Sequence, residues 1–231
     1  MRIRKTCTLL IGLFLVSTGI TAQECAAYFP FKEKTTLEYA NYNRKEKLQS
    51  YSRSTITVVD ETDDGMEAQV ETATMDEDRE VLQEGAFQVV CKDNILYMNL
   101  TDMLSPEMTE SFSHMEVTFT GDKMALPSNL EVGQTLPDAQ TVIQAASGGV
   151  NLLKFTFEIT DRTVDAKESV TTPAGTFECF KVSHSMDVKM MIRKSFKVTT
   201  WYNEKLGMIK QETYDRKGRL DSRTELFKVS Y

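Results

Sequence analysis

The chain has 231 residues, with 34 acidic against 27 basic side chains and a formal net charge of −7. An acidic protein of this size repels nucleic-acid phosphates and anionic lipid surfaces, so the composition argues against a nucleic-acid-binding protein. Lysine and arginine alternate with the acids along most segments, which is typical of a mixed-charge surface in solvent.

The first 22 residues have the three-part pattern of a secretory signal peptide. Three basic residues, Arg2, Arg4 and Lys5, precede an uncharged apolar stretch over residues 7–20, and small or polar residues follow up to Ala22. The apolar stretch is shorter than the roughly 20 residues that span a bilayer, which favours a cleaved signal over a membrane anchor. We expect cleavage after Ala22.

The mature chain is then residues 23–231, which we interpret as one β domain because no linker rich in proline, serine or glycine divides it. Cleavage removes three positive charges, so the formal net charge of the mature chain is near −10. Gln23 and Glu24 precede Cys25, whereas a lipoprotein signal has a small residue directly before its cysteine. The sequence therefore predicts an exported protein, periplasmic or extracellular, that is not a lipoprotein and has no transmembrane segment after cleavage.

Three cysteines remain after cleavage, so a single disulfide leaves one thiol over. Cys25 lies at the mature N-terminus, where the chain must be fixed, and Cys91 ends a strand pattern. Cys179 lies inside a long strand, where a free buried thiol is common. We favour a disulfide between Cys25 and Cys91, and the other pairings stay open.

The clearest strand signal is period-two alternation over residues 176–193. One parity carries almost only apolar side chains: Phe180, Val182, His184, Met186, Val188, Met190 and Ile192. The run is much longer than the usual 5–6 residues, which indicates a strand that crosses a strongly twisted or curled sheet.

Shorter alternating segments flank two turns that resemble each other, at residues 43–46 and 215–218. A glycine would suit the first turn better than Glu46, which occupies the place of Gly218 in the second. Ser105 and Pro106 have the pattern of a helix start, so a short helix could run to about Phe112. The predicted fold class is mainly β: a strongly curled antiparallel sheet, or half-barrel, with one or two short helices.

The residues that carry chemistry are sparse. The two histidines, His114 and His184, are 70 residues apart and belong to no close-spaced set of metal ligands. Acidic clusters at residues 60–64 and 76–78 lie in apparent hairpin turns and are interpreted as solvated. No nucleophile motif, phosphate loop or dinucleotide fingerprint occurs. We therefore expect no catalytic residues, no metal and no cofactor, and a protein that is not an enzyme.

Three segments, in this order, resemble an exported family of Gram-negative bacteria, the TapB-like domains of unknown function. They are residues 28–39, which begin Tyr-Phe-Pro-Phe, residues 172–179 with a Pro-Ala-Gly turn, and residues 201–212, which begin Trp-Tyr. The resemblance implies a curled antiparallel half-barrel similar to the folds of periplasmic lipoprotein carriers. It implies no reaction and no catalytic residues.

These patterns favour a binding protein whose concave sheet face holds an apolar or amphiphilic ligand, such as a lipid, or a segment of an envelope protein. The candidate ligand-binding residues are those of the long alternating strand: Phe180, Val182, His184, Met186, Val188 and Met190. The alternative is a structural or interaction protein of the cell envelope that binds no small molecule because its own side chains fill the concavity.

Overall fold

The computed structural model describes residues 27–62, 65–98, 115–148, 150–190 and 192–231. These residues form thirteen β-strands and no helix, so the expectation of one or two short helices is not met in this part of the chain. The candidate helix at 106–112 and the predicted signal peptide both lie outside the described residues. No helix that could cross a membrane occurs among the residues described.

The strands take up most of the described chain, and tight turns join many of them. In chain order they are β1 (Thr36–Asn43), β2 (Leu48–Thr62), β3 (Gly65–Met75), β4 (Val81–Lys92), β5 (Ile95–Met98), β6 (Glu116–Gly121), β7 (Met124–Pro127), β8 (Ala139–Ser147), β9 (Val150–Thr172), β10 (Gly175–Lys189), β11 (Arg193–Asn203), β12 (Gly207–Tyr214) and β13 (Leu220–Ser230).

All thirteen strands belong to one antiparallel sheet, in the order β6-β8-β9-β10-β11-β12-β13-β1-β2-β3-β4-β5-β7. The two edge strands, β6 and β7, are consecutive in the chain and joined only by Asp122 and Lys123. Three Cα–Cα steps of 3.8 Å span at most about 11 Å, so the two edges must lie close together. The sheet therefore curls strongly without closing, as the alternation in the sequence predicted.

A bulge in the 23-residue strand β9 contributes to this curl. Ser183 of β10 pairs with Thr163 and Ser185 pairs with Thr160, so two residues of β9, Asp161 and Arg162, lie opposite a single residue of β10. Asp161 adopts a left-handed conformation with φ of 55°. A bulge of this kind bends its strand and increases the local twist.

The bulge also places Arg162 inside the protein, where it is only 2% exposed. Its Nη1 atom donates hydrogen bonds to the carbonyl oxygens of Ala125 at 2.9 Å and Pro137 at 2.7 Å. Ala125 belongs to β7, at the opposite edge of the sheet from β6. Arg162 therefore joins β9 to the far edge strand across the interior and donates to two backbone carbonyls there.

The largest core cluster shows the same curl, because strands distant in the sheet order contribute to it together. Its buried members come from β2 to β5 and β7, from β9 to β11, and from the segments before β1 and β8: Tyr28, Ile56, Ala68, Val70, Val89, Cys91, Leu96, Leu126, Leu130, Leu136, Val164, Phe180, Val182 and Tyr202. The face of the sheet that carries this cluster is called the concave face below.

The long alternating run of the sequence is not one strand. β10 ends at Lys189 and β11 begins at Arg193, and these two residues pair directly as the ends of a hairpin. Met190 and Ile192 lie beyond that pair and are 53% and 77% exposed. The turn contains no glycine, proline or asparagine, so the period-two pattern passes through it without a local signal.

The two similar turns predicted from the sequence, now seen at residues 43–47 and 215–219, have the same hydrogen bonds. In each, the first residue donates its N–H to the carbonyl of the fifth, and the fourth donates to the carbonyl of the first. The fourth residue is left-handed in both turns, with φ of 57° at Glu46 and 72° at Gly218. Only the second turn has glycine at this position, and glycine alone adopts the left-handed conformation without steric cost.

The matched turns give a test of that cost. Replacement Glu46→Gly is expected to raise the free energy of unfolding by up to about 1 kcal/mol, because relief of the left-handed strain outweighs loss of the exposed ion pair with Arg223. Gly218→Ala is expected to lower it by about 1 kcal/mol. Urea unfolding of both variants measures the changes, and a less stable Glu46→Gly variant would contradict the assignment.

The hydrogen bond from Arg162 of β9 to Ala125 of β7 gives a second test of what stabilises the fold. Arg162→Met leaves the carbonyls of Ala125 and Pro137 without their donor, and we expect a loss of about 2–4 kcal/mol in the free energy of unfolding. Arg53→Met is the control, since Arg53 lines a groove on the outer face and has no hydrogen bond or ion pair with the other described residues. Equal stability of the two variants in urea would refute this role for Arg162.

Candidate ligand-binding cavity

Strands β1 and β2 present alternate residues to the concave face, and the two sets differ in size. Leu37 and Tyr39 of β1 pair directly with Ser54 and Ser52 of β2. Large side chains therefore stand beside small ones, and the small side chains leave space that their described neighbours do not fill.

A cavity of about 530 Å³ occupies this region of the concave face. Its volume is within the range of about 300–1,000 Å³ that is common for small-molecule sites. Twelve of the lining residues are apolar or aromatic: Tyr28, Phe29, Leu37, Tyr39, Phe87, Val89, Leu96, Met98, Met124, Tyr202, Leu206 and Met208. The others are Gly207 and five neutral polar residues, namely Asn41, Ser52, Ser54, Gln88 and Gln211.

The segment before β1 forms one wall of the cavity. The N–H of Tyr28 donates to the carbonyl of Glu204 at 3.1 Å, and the Tyr28 ring meets the rings of Phe180 and Tyr202 edge-on, each at 6.3 Å. Gly207 has φ of 80°, and a Cβ at that position would lie 2.4 Å from the Tyr28 carbonyl oxygen. Glycine at position 207 therefore allows the N-terminal segment to pack against the β11–β12 turn.

The lining is electrically neutral at physiological pH. Burial raises the pKa of both Tyr39 and Tyr202 above the usual value for tyrosine, so both phenols stay protonated. The Tyr39 hydroxyl donates to the carbonyl of Met208 at 3.1 Å. No Asp, Glu, Lys or Arg occurs among the described residues that line the cavity.

The six candidates from the sequence lie on β10 or just beyond it, and none of them is among these lining residues. Phe180 pairs directly with Tyr202, which does line the cavity, so β10 shares the concave face with it. The structure buries Phe180, Val182 and His184, half-buries Met186 and Val188, and leaves Met190 largely exposed. Their role in ligand binding stays a prediction.

Sequence reasoning missed the contributions of β1, β2, β4, β5, β7, β11 and β12. The signal that could have found β2 is the alternation of serine at positions 50, 52 and 54 before the apolar Ile56. Small polar side chains on an inward-facing parity leave room and provide hydrogen-bonding groups. The composition of a single strand does not show which other strands face it, so the cavity could not be predicted from these serines alone.

His184 is buried opposite the β9 bulge, and its Nε2 atom has no hydrogen-bond partner among the described residues. Burial lowers the pKa of its imidazole from 6.5 to about 4, and the positive charges of Arg162 and Lys197 act in the same direction. The imidazole is therefore neutral at pH 7, and its protonation in the folded protein is unfavourable.

The two described cysteines, Cys91 and Cys179, are not among the residues that line the cavity. Cys179 is a free, buried cysteine, and burial raises the pKa of its thiol to about 12, so the reactive thiolate form is suppressed. Cys91 is buried in the main core. Cys25 lies outside the described residues, and its bond to Cys91 stays a prediction. Within the described ranges, no group of three or more His, Cys, Asp or Glu side chains could hold a metal ion.

The position of His184 predicts an acid-sensitive contribution to stability. Because its folded-state pKa is depressed, the unfolded state binds more protons between pH 6.5 and 4, and stability falls as the pH falls through that window. We expect the wild type to lose about 3 kcal/mol more than His184→Gln between pH 7 and 4 in urea unfolding. The difference between the two proteins should be constant from pH 7 to 9. Parallel curves over the acid range would contradict the prediction.

Comparison with known proteins shows which family the chain matches. The DUF3108-like family model matches residues 32–226. Two crystal structures have the same fold over 90% of this chain and 100% of theirs. One is a protein of Bacteroides fragilis, described as exported and YmcC-like in fold, with 22% identity and a TM-score of 0.73. The other is a protein of Parabacteroides distasonis, described as a lipoprotein, with 23% identity and a TM-score of 0.75. The search of curated proteins found no match.

At these identities the two structures bear on the fold alone. The narrower TapB-like name suggested by the three sequence segments is not confirmed, and the absence of a lipid on this chain stays a prediction, since one of the two similar structures is described as a lipoprotein. The family match covers most of the chain, from before β1 to near the end of β13. The chain belongs to the DUF3108-like family.

Proposed function

We propose that the chain is an exported protein of the cell envelope that binds an apolar or amphiphilic molecule in the cavity of its concave face. The observation that carries the proposal is the cavity of about 530 Å³ with twelve apolar or aromatic lining residues and no charged residue among those described. A site of that composition suits an acyl chain, because burial of apolar surface drives binding and no charge must be desolvated.

Export rests on the signal-peptide pattern of residues 1–22 and agrees with the descriptions of the two similar structures. An envelope location would give the protein access to lipids and other amphiphiles. The proposal includes no catalytic step: the groups at the cavity bind and orient, and neutral phenols, hydroxyls and amides are its polar elements.

One observation favours a second candidate, a structural or interaction protein without a small ligand. Phe180 and Val182, on the same concave face, are buried in the protein's own core. If the cavity is only a packing defect beside that core, no ligand is needed. Organic extraction of the natively purified protein, followed by mass spectrometry, would distinguish the two by the presence or absence of a bound lipid.

A filling variant tests the cavity directly. Ser54→Phe places a ring into the space beside Leu37, and we expect it to weaken binding of the fluorescent apolar probe N-phenyl-1-naphthylamine at least about tenfold, which corresponds to about 1.4 kcal/mol. Gln49→Phe adds the same ring on an exposed position of the same strand and should leave the affinity unchanged. Titration by fluorescence gives both affinities.

The outcomes separate the two candidates. A wild-type protein that binds no probe supports the structural role and refutes the ligand-binding proposal. Equal binding by the two variants would place the probe outside the cavity and would refute the site as described.

A further inference from the structure

A row of uncharged polar side chains crosses the concave face beside the cavity. Its members lie directly opposite one another on five adjacent strands, from β11 to β2, and are Thr200, Gln211, Thr224, Asn41 and Ser50. We call this set the polar row. Asn41 and Gln211 also line the cavity. The cavity is thus apolar over most of its wall and neutral but polar along one side.

The side chains of the polar row are hydrogen-bonded in two groups, Thr200 with Gln211 and Thr224 with Asn41 and Ser50. Thr200 Oγ1 donates to Gln211 Oε1 at 3.2 Å, and Thr224 Oγ1 donates to Asn41 Oδ1 at 2.9 Å. Asn41 Nδ2 donates to Ser50 Oγ at 3.2 Å. The Nε2 group of Gln211 has no acceptor among the described residues, so its N–H donors are available to a bound molecule.

The charged neighbours of this row lie on the other face of the sheet. Gln211 is flanked by Lys210 and Glu212, whose Nζ and Oε1 atoms are 2.6 Å apart. Thr224 is flanked in the same way by an ion pair between Arg223 and Glu225 at 3.6 Å. Because successive residues of a strand point to opposite faces, the charges pair with each other on the outer face and the concave face stays neutral.

Arg162 is a cation buried in the protein interior, but it is not available to a ligand at the cavity. It does not line the cavity, and its Nη1 is committed to the carbonyls of Ala125 and Pro137. A carboxylate or phosphate that entered the cavity would therefore lose its hydration without gaining a counter-charge, which is costly in a low-dielectric site.

We propose that the ligand is a neutral amphiphile, an acyl chain with an uncharged hydroxyl- or ester-bearing head group, and that the polar row binds that head group. The inference rests on the proposed function, because it requires a ligand in the cavity. The acyl chain packs against the apolar lining, and the head group exchanges hydrogen bonds with water for hydrogen bonds with Gln211 and its neighbours.

Three amphiphiles with the same twelve-carbon chain test the charge preference: 1-monolauroylglycerol, laurate and dodecyl phosphate. Each is titrated at pH 8 against the wild-type protein loaded with N-phenyl-1-naphthylamine. We expect monolauroylglycerol to displace the probe at a concentration at least about tenfold lower than either anion. Displacement by laurate at an equal or lower concentration would overturn the inference and leave an apolar cavity standing.

Two variants test the polar row itself. Gln211→Met keeps the length of the side chain and removes its amide, and we expect it to lower the affinity for monolauroylglycerol about tenfold and to weaken the preference for this amphiphile over laurate. Thr200→Val, which removes the hydroxyl that holds Gln211, is the second variant in case the first does not fold, and a smaller loss in the same direction is expected. Gln69→Met, at an exposed site on β3, is the control.

The possible failures are distinct. If the wild type does not bind the probe at all, both the proposed function and this inference fail. If the probe binds and the polar-row variants keep the full preference for the neutral amphiphile, only the role of the polar row is refuted.

Discussion

The guanidinium of Arg162, held between β9 and the far edge of the sheet, is the interaction on which the architecture most depends. The thirteen-stranded sheet does not close, so its two edge strands, β6 and β7, are kept near each other by their two-residue connection, and Arg162 adds hydrogen bonds across the interior. The bulge at Asp161 turns Arg162 inward, and the arginine then donates to the carbonyl of Ala125 on β7 and to that of Pro137, which precedes β8. An arginine can do this because its planar group presents several donors in fixed directions.

Curling of the sheet divides the concave face into two regions. Where strands that are distant in the sheet order meet, side chains such as Leu126, Val164 and Val182 fill the interior as a conventional core. Where β1 and β2 present serine beside leucine and tyrosine, the described side chains do not fill the interior, and the cavity results. The same face is therefore both the source of stability and the place where a ligand has room.

The distribution of charge gives the cavity its chemical character. The chain is acidic overall and 26% of its residues are charged, yet the described lining of the cavity has no charged side chain. Strand alternation makes this possible, since Lys210 and Glu212 reach the outer face while Gln211 between them reaches the inner one. His184, deep in the same interior, stays neutral for the related reason that burial penalises its charged form.

Local sequence determined much of this protein. Period-two alternation identified the antiparallel strands and indicated a curled sheet, and the Asn-Arg-Lys-Glu and Asp-Arg-Lys-Gly segments identified matching turns, including the strained position of Glu46. These features depend on residues that are neighbours in the chain, whose backbone preferences the sequence states directly.

Tertiary structure alone decided where β10 ends, which strands line the cavity and which polar residues meet. The hairpin at Lys189 and Arg193 has no local turn signal, and the pairing of Gln211 with Thr224 and of Asn41 with Ser50 depends on the strand order and register. Register shifts by one residue exchange the two faces of a strand, and bulges such as that at Asp161 cause such shifts. The sequence therefore specified the strands, and the way they pair and curl specified the site.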